Sequence, residues 1–228
     1  MKSAIIVFPG SNCDQDAFDA LAKIGSDVQK IWYQDHTLPK NLDLVVIPGG
    51  FSYGDYLRSG AMAAISPIMQ DVKKRADSGL HVLGICNGFQ ILTETGLLDG
   101  VLLRNEKIKF MCKTVNLRVE NQSNKFNANY KKNEIIRLPI ANMDGNFFAR
   151  PDVIKSLYDN DQIAFKYVDE NGETNQNPNG SIDNIAGIFN KKKNILGMMP
   201  HPERAIDLNT GSEDGIKIFE SLLNRINE

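Results

Sequence analysis

The segment LHVLGICNGFQ at residues 80–90 constrains the fold more than any other part of the chain. Its first half is apolar and predicts a short buried strand, while the residues after Gly88 predict a helix. A nucleophilic residue between two glycines at such a strand–helix junction is the pattern of a nucleophile elbow. Here that residue is Cys86, and a position at a helix start favours the thiolate because the peptide dipoles are positive there. The alternative is that Cys86 is only a small buried apolar side chain.

The composition is typical of one soluble α/β domain, which we expect to span residues 1–228. Hydrophobic residues make up 42% of the chain and charged residues 24%, so a sizeable core can form. The net charge of -2 and the lack of a basic block argue against nucleic acid or an anionic membrane as a partner. No run approaches the roughly 18 apolar residues of a membrane span, and none resembles a signal peptide. A cytoplasmic location is therefore expected.

The cysteines and acidic residues do not predict a metal site. The three cysteines, Cys13, Cys86 and Cys112, are odd in number and widely spaced, so they offer neither a disulfide framework nor a metal clip. Neither Cys13 nor Cys112 lies at an elbow. Asp14 and Asp16 are better explained as the start of a helix than as a magnesium site. The chain also lacks the glycine-rich P-loop sequence of many ATP sites.

Strands and helices alternate in the first part of the chain. AIIVF at residues 4–8 is a β-branched run ended by Pro-Gly, and LVVI at residues 44–47 is ended by Pro-Gly-Gly. A further strand is predicted over residues 28–33, and helices over residues 15–24 and 60–78. This order predicts a doubly wound, mostly parallel sheet flanked by helices, whose sites lie at the carboxyl ends of the strands.

Beyond residue 96 the pattern changes. Residues 113–120 alternate between apolar and polar side chains, as expected for an antiparallel strand with one solvated face. The fold prediction therefore includes an added antiparallel strand region. The remaining predictions are strands at 134–140, 163–168, 185–189 and 195–199, a loop at 171–184 and a closing helix at 215–226.

A cysteine nucleophile needs a base, and the chain has three histidines. His36 lies in a polar loop and is expected at the surface. His81 starts the elbow strand, ~16 Å from Cys86 along an extended chain, and is too far away. His201 follows a predicted strand and lies between two prolines. In extended backbone Glu203 would lie on the same side as His201, where its carboxylate could fix the tautomer and stabilise the imidazolium. Alternatively, the segment is a turn with a surface histidine.

Backbone N–H groups would have to stabilise the oxyanion formed when the thiolate attacks. In elbow enzymes one such donor belongs to the residue after the nucleophile, which here is Asn87. The second could come from Gly49-Gly50-Phe51, since glycine lets bare backbone approach a substrate. An ordinary turn at the end of a strand is the alternative for this segment.

Four segments together resemble a known family. They are GICNGFQ at 84–90, PGGFSYGDYLR at 48–58, MPHPER at 199–204 and FPGSNCD at 8–14. The chain resembles the class I glutamine amidotransferases and, more narrowly, the glutaminase subunits of phosphoribosylformylglycinamidine synthase (PurQ type). The resemblance extends from residue 4 to residue 204. The first and third segments belong to the whole class, whereas the stretches at 8–14 and 51–58 are more specific.

The resemblance implies a role for each matching residue. Cys86 would be the nucleophile, His201 the base and Glu203 the carboxylate that orients it. Gly50 and Asn87 would form the oxyanion hole. The resemblance also implies that Gln90 helps to shape the glutamine pocket. One position departs from the family pattern: Asn142 stands where members commonly have a histidine, and asparagine cannot carry a positive charge.

The resemblance further implies a reaction and partners. Glutamine would be hydrolysed to glutamate and ammonia through a cysteine thioester. The ammonia would pass to an ATP-dependent synthetase subunit of the PurL type, which makes formylglycinamidine ribonucleotide in purine biosynthesis; a small PurS-type subunit is a further candidate partner. No cofactor is expected in this chain, and ATP and Mg²⁺ are expected on the synthetase. The alternatives are a stand-alone cysteine hydrolase or peptidase and a non-catalytic scaffold subunit.

Overall fold

The computed structural model describes residues 1–226, in which eleven strands and six α-helices are found. The strands are β1 (Lys2–Val7), β2 (Asp27–Trp32), β3 (Leu44–Ile47), β4 (His81–Ile85), β5 (Val101–Leu103), β6 (Met111–Val119), β7 (Ile135–Asn142), β8 (Asn146–Phe148), β9 (Ile163–Val168), β10 (Ile185–Phe189) and β11 (Ile195–Met198). The helices are α1 (Asp14–Lys23), α2 (Ala61–Ala64), α3 (Pro67–Asp77), α4 (Asn87–Glu94), α5 (Pro151–Asp159) and α6 (Ile216–Ile226).

Nine of the strands form one mixed sheet in the order β2-β1-β3-β4-β11-β10-β9-β6-β7. The first five strands in this order are parallel, and the other four are antiparallel to their neighbours. Strands β5 and β8 pair separately. The predicted fold, a doubly wound sheet flanked by helices with an added antiparallel region, is confirmed. The antiparallel strands extend the same sheet from β11.

The central parallel strands are buried on both faces, which explains their continuous apolar runs. All four residues of β3 are buried, and so are the last four of β4. The buried residues of α1 are Ala17, Ala20 and Leu21. Each Leu or Ile side chain buried in this way contributes roughly 1.5–3 kcal/mol to stability.

One local prediction was wrong. The single helix expected over residues 60–78 is divided into α2 and α3, because Pro67 starts a new helix and holds Ser66 in extended backbone. The helix expected over residues 15–24 is α1, which has Cys13 as its N-cap and carries Asp14 and Asp16 in its first turn. Helix α5 and the β5–β8 pair were not predicted from the sequence.

Strand register brings the site segments to one edge of the sheet. Ile47 pairs with Gly84, and Met198 pairs with Ile85, so that β3, β4 and β11 end side by side. Strand β1 lies on the other side of β3 and ends at the same edge. Among residues 1–226, no helix has the length and apolar content that crossing a membrane requires.

Candidate active site

The turn at Cys86 has the geometry of an elbow. Cys86 is the N-cap of α4, with φ 52° and ψ -105°, a strained conformation for a residue with a side chain. Its N–H donates to the carbonyl oxygen of Met198 at 2.8 Å, which fixes the turn to β11. A Cβ atom on Gly84 would lie 2.8 Å from the carbonyl carbon of Gly88, and one on Gly88 would lie 1.9 Å from the carbonyl oxygen of Ile47. Both glycines are therefore required by close backbone packing.

His201 and Glu203 form a buried pair beside the elbow. Nδ1 of His201 lies 2.6 Å from Oε1 of Glu203, and the two residues are only 1% and 2% exposed. His201 is extended, and Pro202 begins a single 3-10 turn over residues 202–204 that carries Glu203 back toward the ring. The N–H of His201 donates to the carbonyl oxygen of Pro139 at 2.9 Å. The two side chains are thus adjacent as expected, although a turn rather than extended backbone brings them together.

The charge on His201 is stabilised by its neighbours. Burial lowers the pKa of His201, but the Glu203 carboxylate and the thiols of Cys86 and Cys13 outweigh this effect and raise that pKa well above its usual value. The other ring nitrogen, Nε2, is buried and makes no hydrogen bond with a described residue. His201 can therefore hold a proton between Glu203 and the thiol of Cys86.

Cys13 and Arg204 also lie at this site, although neither was predicted from the sequence to belong to it. Nη2 of Arg204 lies 2.9 Å from the Sγ of Cys13, and Nε of Arg204 pairs with Asp16 at 3.2 Å. One potential metal-ligating atom from each of Cys13, His201 and Glu203 lies within 4.8 Å of the other two. However, the positively charged guanidinium of Arg204 lies next to the Cys13 sulfur, and Glu203 is already hydrogen-bonded to His201. This arrangement favours an ion-pair network over a bound cation.

The Gly49-Gly50 segment lies against the side chains of His201, Cys13 and Cys86. A Cβ atom on Gly49 would lie 2.8 Å from Cε1 of His201, 3.1 Å from Sγ of Cys13 and 3.4 Å from Cβ of Cys86. Gly50 has a φ of 148°, and a Cβ atom there would lie 2.8 Å from the carbonyl oxygen of Gly10. Only glycine can take these two positions without displacing the site.

Asn87 connects the elbow to this loop through its side chain. Its Oδ1 accepts a hydrogen bond from the N–H of Ser52 at 3.1 Å, and its Nδ2 donates to Oε1 of Gln90 at 2.9 Å. Gln90 in turn donates from Nε2 to the carbonyl oxygen of Asp144 at 2.7 Å. The backbone N–H groups of Gly50 and Asn87 donate to no other group among residues 1–226, so both are available to a ligand.

A cavity of about 210 Å³ opens above the thiol. Its lining is Asn12, Cys13, Gly50, Phe51, Cys86, Phe110, Ala141, His201 and Arg204. A narrower recess also begins at Cys86 and continues past Gln90 to Asn142 and Asp144. The candidate nucleophile therefore has access to solvent on one side and to an enclosed polar recess on the other.

The other two histidines lie outside this site, as the sequence analysis expected. His36 is exposed. His81 lies at the amino end of β4 and lines a separate cavity of about 430 Å³ with Arg75 and Lys125. Burial and then the charge of Lys125 lower the pKa of His81.

Comparisons with known proteins agree with this geometry. The model of the CobB/CobQ-like glutamine amidotransferase domain matches residues 1–219. A PurLQS structure from Thermotoga maritima is 43% identical and has a TM-score of 0.89, over 99% of this chain and 98% of that chain.

Two more distant structures show the same fold. A glutamine amidotransferase from Thermotoga maritima has a TM-score of 0.62 at 13% identity, over 100% of this chain and 98% of that chain. The glutaminase domain of Trypanosoma brucei CTPS with bound acivicin has a TM-score of 0.61 at 10% identity, over 98% of this chain and 94% of that chain.

Proposed function

The chain belongs to the CobB/CobQ-like glutamine amidotransferase family, and on that basis we propose that it is the glutaminase subunit of a phosphoribosylformylglycinamidine synthase. One observation carries the proposal. The buried His201–Glu203 pair lies beside a cysteine elbow, in a chain that is 43% identical to a PurLQS structure over 99% of its length. The family activity is that of a glutamine amidotransferase. What we propose in addition is the reaction that uses the ammonia, namely the synthesis of formylglycinamidine ribonucleotide.

The first half of the reaction forms a thioester. The Cys86 thiolate attacks the side-chain amide carbon of glutamine, and the N–H groups of Asn87 and Gly50 donate to the resulting oxyanion. The thiol proton, held on Nε2 of His201, goes to the amide nitrogen as the carbon–nitrogen bond breaks. The products of this step are ammonia and a glutamyl thioester on Cys86.

The second half of the reaction regenerates the thiolate. His201, now neutral, accepts a proton from water as the water oxygen attacks the thioester carbon. The carbon–sulfur bond breaks, glutamate leaves, and Cys86 departs as a thiolate opposite the imidazolium. Glu203 holds Nδ1 throughout, so that Nε2 stays directed at the reacting atoms.

We assign the use of the ammonia to a partner. The chain has no P-loop sequence, and the name of the PurLQS relative supports a synthetase subunit of the PurL type as the consumer. ATP and Mg²⁺ would bind to that subunit, where the ammonia converts formylglycinamide ribonucleotide to the amidine. A PurS-type subunit is a further proposed member of the assembly.

Labelling with a diazoketone analogue of glutamine tests this function. We expect one adduct, on Cys86 by peptide mass spectrometry, and loss of glutamine-dependent amidine synthesis by the reconstituted complex. The exposed Cys112 provides the internal control for nonspecific alkylation. Absence of an adduct with and without the partner would favour a scaffold. Full glutamate release that is indifferent to the partner would favour a stand-alone hydrolase.

A further inference from the structure

The cavity above Cys86 is lined by a second cysteine that the proposed reaction does not use. Cys13 lies in the loop after β1 as the N-cap of α1, and it is 2% exposed. Both thiols are free, and both line the cavity of about 210 Å³. Cys112, in contrast, is exposed on β6 and does not line this cavity. The two buried cysteines of the chain thus share one cavity.

The backbone of Gly49 leaves the space between the two cysteines open. A Cβ atom at Gly49 would lie 3.1 Å from Sγ of Cys13 and 3.4 Å from Cβ of Cys86. Because glycine has only a hydrogen atom at this point, the space is available to sulfur. The N–H of Cys13 donates to the carbonyl oxygen of Gly49 at 3.2 Å, which holds the loop after β1 against this segment. Cys13 and Cys86 therefore border the same gap.

Two nitrogen groups that can carry positive charge lie beside this gap. Nη2 of Arg204 lies 2.9 Å from Sγ of Cys13, and a ring nitrogen of His201 lies within 4.8 Å of the same sulfur. Nε2 of His201 is buried and has no hydrogen-bond partner among residues 1–226. A positive charge beside a sulfur atom favours the thiolate, which is the form that attacks. The surroundings of Cys13 therefore suit a reactive thiol better than an inert one.

Neither thiol is strongly held in its position. Sγ of Cys86 donates to the carbonyl oxygen of Ala141 at 3.6 Å, and Sγ of Cys13 lies 3.3 Å from Oδ1 of Asn12. Thiols are weak hydrogen-bond donors, so rotation about the Cα–Cβ bond of either cysteine sacrifices little. Such a rotation can turn the sulfur of Cys86 away from Ala141 and toward the gap.

We propose that Cys13 and Cys86 form a reversible disulfide that switches the active site off when a hydroperoxide oxidises it. The Cys86 thiolate attacks hydrogen peroxide, so that a sulfur–oxygen bond forms and the oxygen–oxygen bond breaks. The hydroxide that leaves takes the proton of the His201 imidazolium and becomes water, and Cys86 becomes a sulfenic acid.

The second step uses Cys13 as the resolving thiol. The Cys13 thiolate attacks the sulfenic sulfur, the sulfur–sulfur bond forms, and the sulfur–oxygen bond breaks. The hydroxide that leaves takes a proton from solvent and becomes a second water. In the two steps together, two thiols lose two electrons and one peroxide gains them.

The disulfide would both stop and protect the nucleophile. Its formation occupies the sulfur of Cys86, so glutamine cannot be attacked, and a dithiol restores both cysteines by exchange. Without Cys13 the sulfenic acid would meet further peroxide and become a sulfinic acid, which dithiols do not reduce. The proposal goes beyond the glutaminase function, since the cross-link needs only the two thiols and their neighbours.

The experiment oxidises the reconstituted complex with an excess of hydrogen peroxide. Free thiols are then blocked with iodoacetamide, and the unreduced peptides of this chain are mapped by mass spectrometry. We expect a peptide pair that joins Cys13 to Cys86, with Cys112 alkylated. Glutamate release should fall at least about tenfold and return to about nine-tenths of its initial rate after dithiothreitol, because exchange restores the thiols.

Two variants complete the test. Cys13→Ser removes the second thiol at nearly constant volume, and its activity is measured against its own value before oxidation. After the same exposure, dithiothreitol should restore less than about a fifth of that activity, because Cys86 has become a sulfinic acid. The peptide that contains Cys86 should then carry two added oxygen atoms. Cys112→Ala is the matched control and should recover as the wild type does, since Cys112 is exposed.

Distinct outcomes overturn the disulfide and the glutaminase function. The disulfide is wrong if peroxide-inactivated wild type contains no peptide pair joining Cys13 to Cys86, or if Cys13→Ser recovers as fully as the wild type. Mapping of the wild-type chain decides this point even if Cys13→Ser does not fold. A reduced wild-type complex that releases no ammonia from glutamine would overturn the glutaminase function, and mapping would still decide on the cross-link.

Discussion

Arg204 lies against Cys13, with 2.9 Å between Nη2 and Sγ, and this contact connects the loop after β1 to the segment that carries His201, the proposed base. Burial lowers the pKa of Arg204, but Cys13, Glu203 and Asp16 raise it overall. The same thiol raises the pKa of His201. Cys13 therefore belongs to the charge network of the active site, although it is not at the elbow.

Cys13→Ala should retain glutaminase activity but change its pH profile. Without the Cys13 thiol the pKa of His201 is lower, because one of the groups that favour the imidazolium is gone. The imidazolium is needed to protonate the departing ammonia, so activity is lost as pH rises through this pKa. The alkaline decline of kcat/KM should therefore begin at a lower pH than in the wild type. An alkaline limb that coincides with the wild type would exclude Cys13 from this network.

Cys86→Ala should abolish glutamine-dependent synthesis by the assembled enzyme while sparing synthesis from added ammonium salts. The reason is that the thiol serves only to release ammonia from glutamine. The measurement is amidine formation with each nitrogen source in turn. Cys112→Ala is the matched control, since that cysteine is free and exposed. Near wild-type synthesis from glutamine by Cys86→Ala would mean that another residue is the nucleophile.

The parts of the site that are local in sequence could be predicted. The elbow needs only neighbouring residues, because the strand, the two glycines and the helix start are consecutive. The His201–Glu203 pair is also local, since the two residues are separated by Pro202 alone. These features follow from short-range geometry that a sequence displays directly.

The parts that depend on sheet register could not be predicted in the same way. Cys13 and Arg204 are distant in sequence and meet because β1 and β11 end at one edge of the sheet. The narrow recess lined by Asp55, Gln90 and Asp144 likewise needs the turn after β7 to approach the loop after β3. No periodicity reports such meetings, so the charges around Asp55 and Asp144 became visible only in the fold.

Glu203→Gln should slow glutamine hydrolysis while the chain stays folded. The amide removes the negative charge that stabilises the imidazolium and allows the imidazole to adopt the wrong tautomer. Loss of the carboxylate costs about four decades of rate in one well-studied triad, and we expect a smaller loss here. Steady-state glutamate release and far-ultraviolet circular dichroism measure the two effects. Glu213→Gln, an exposed change of the same chemistry, is the control. Unchanged turnover in Glu203→Gln would mean that Glu203 only shapes the turn and takes no part in the reaction.

Gly88→Ala should destabilise the fold strongly. The new Cβ would lie 1.9 Å from the carbonyl oxygen of Ile47, so α4 would have to move away from β3. Overpacking of this kind costs roughly 1–3 kcal/mol or more. Gly25→Ala is the control, because its Cβ enters open space and only the positive φ of 79° opposes it. Denaturant unfolding should give a clearly larger loss for Gly88→Ala, and equal losses would show that α4 can shift freely.

Glutamate release by this chain should depend on a partner. The chain alone should release glutamate slowly, and the rate should rise strongly when the synthetase binds with nucleotide and acceptor. We expect control to reach the thiol through a surface to which the synthetase docks, because ATP is proposed to bind to that subunit. The Gly49-Gly50 segment is the proposed switch, because its glycines can change conformation at low steric cost.

The position of this segment makes such a switch effective. It is held to the elbow through the hydrogen bond from Ser52 to Asn87, so a partner that moves the loop can move an oxyanion donor. Loss of one such donor costs about 3 kcal/mol, which is enough for a hundredfold change in rate. The measurement is steady-state glutamate release by the pure chain and by the chain with partner, nucleotide and acceptor. Equal rates in the two mixtures would show that the hole is already complete in the free chain, and that the enzyme is a stand-alone hydrolase.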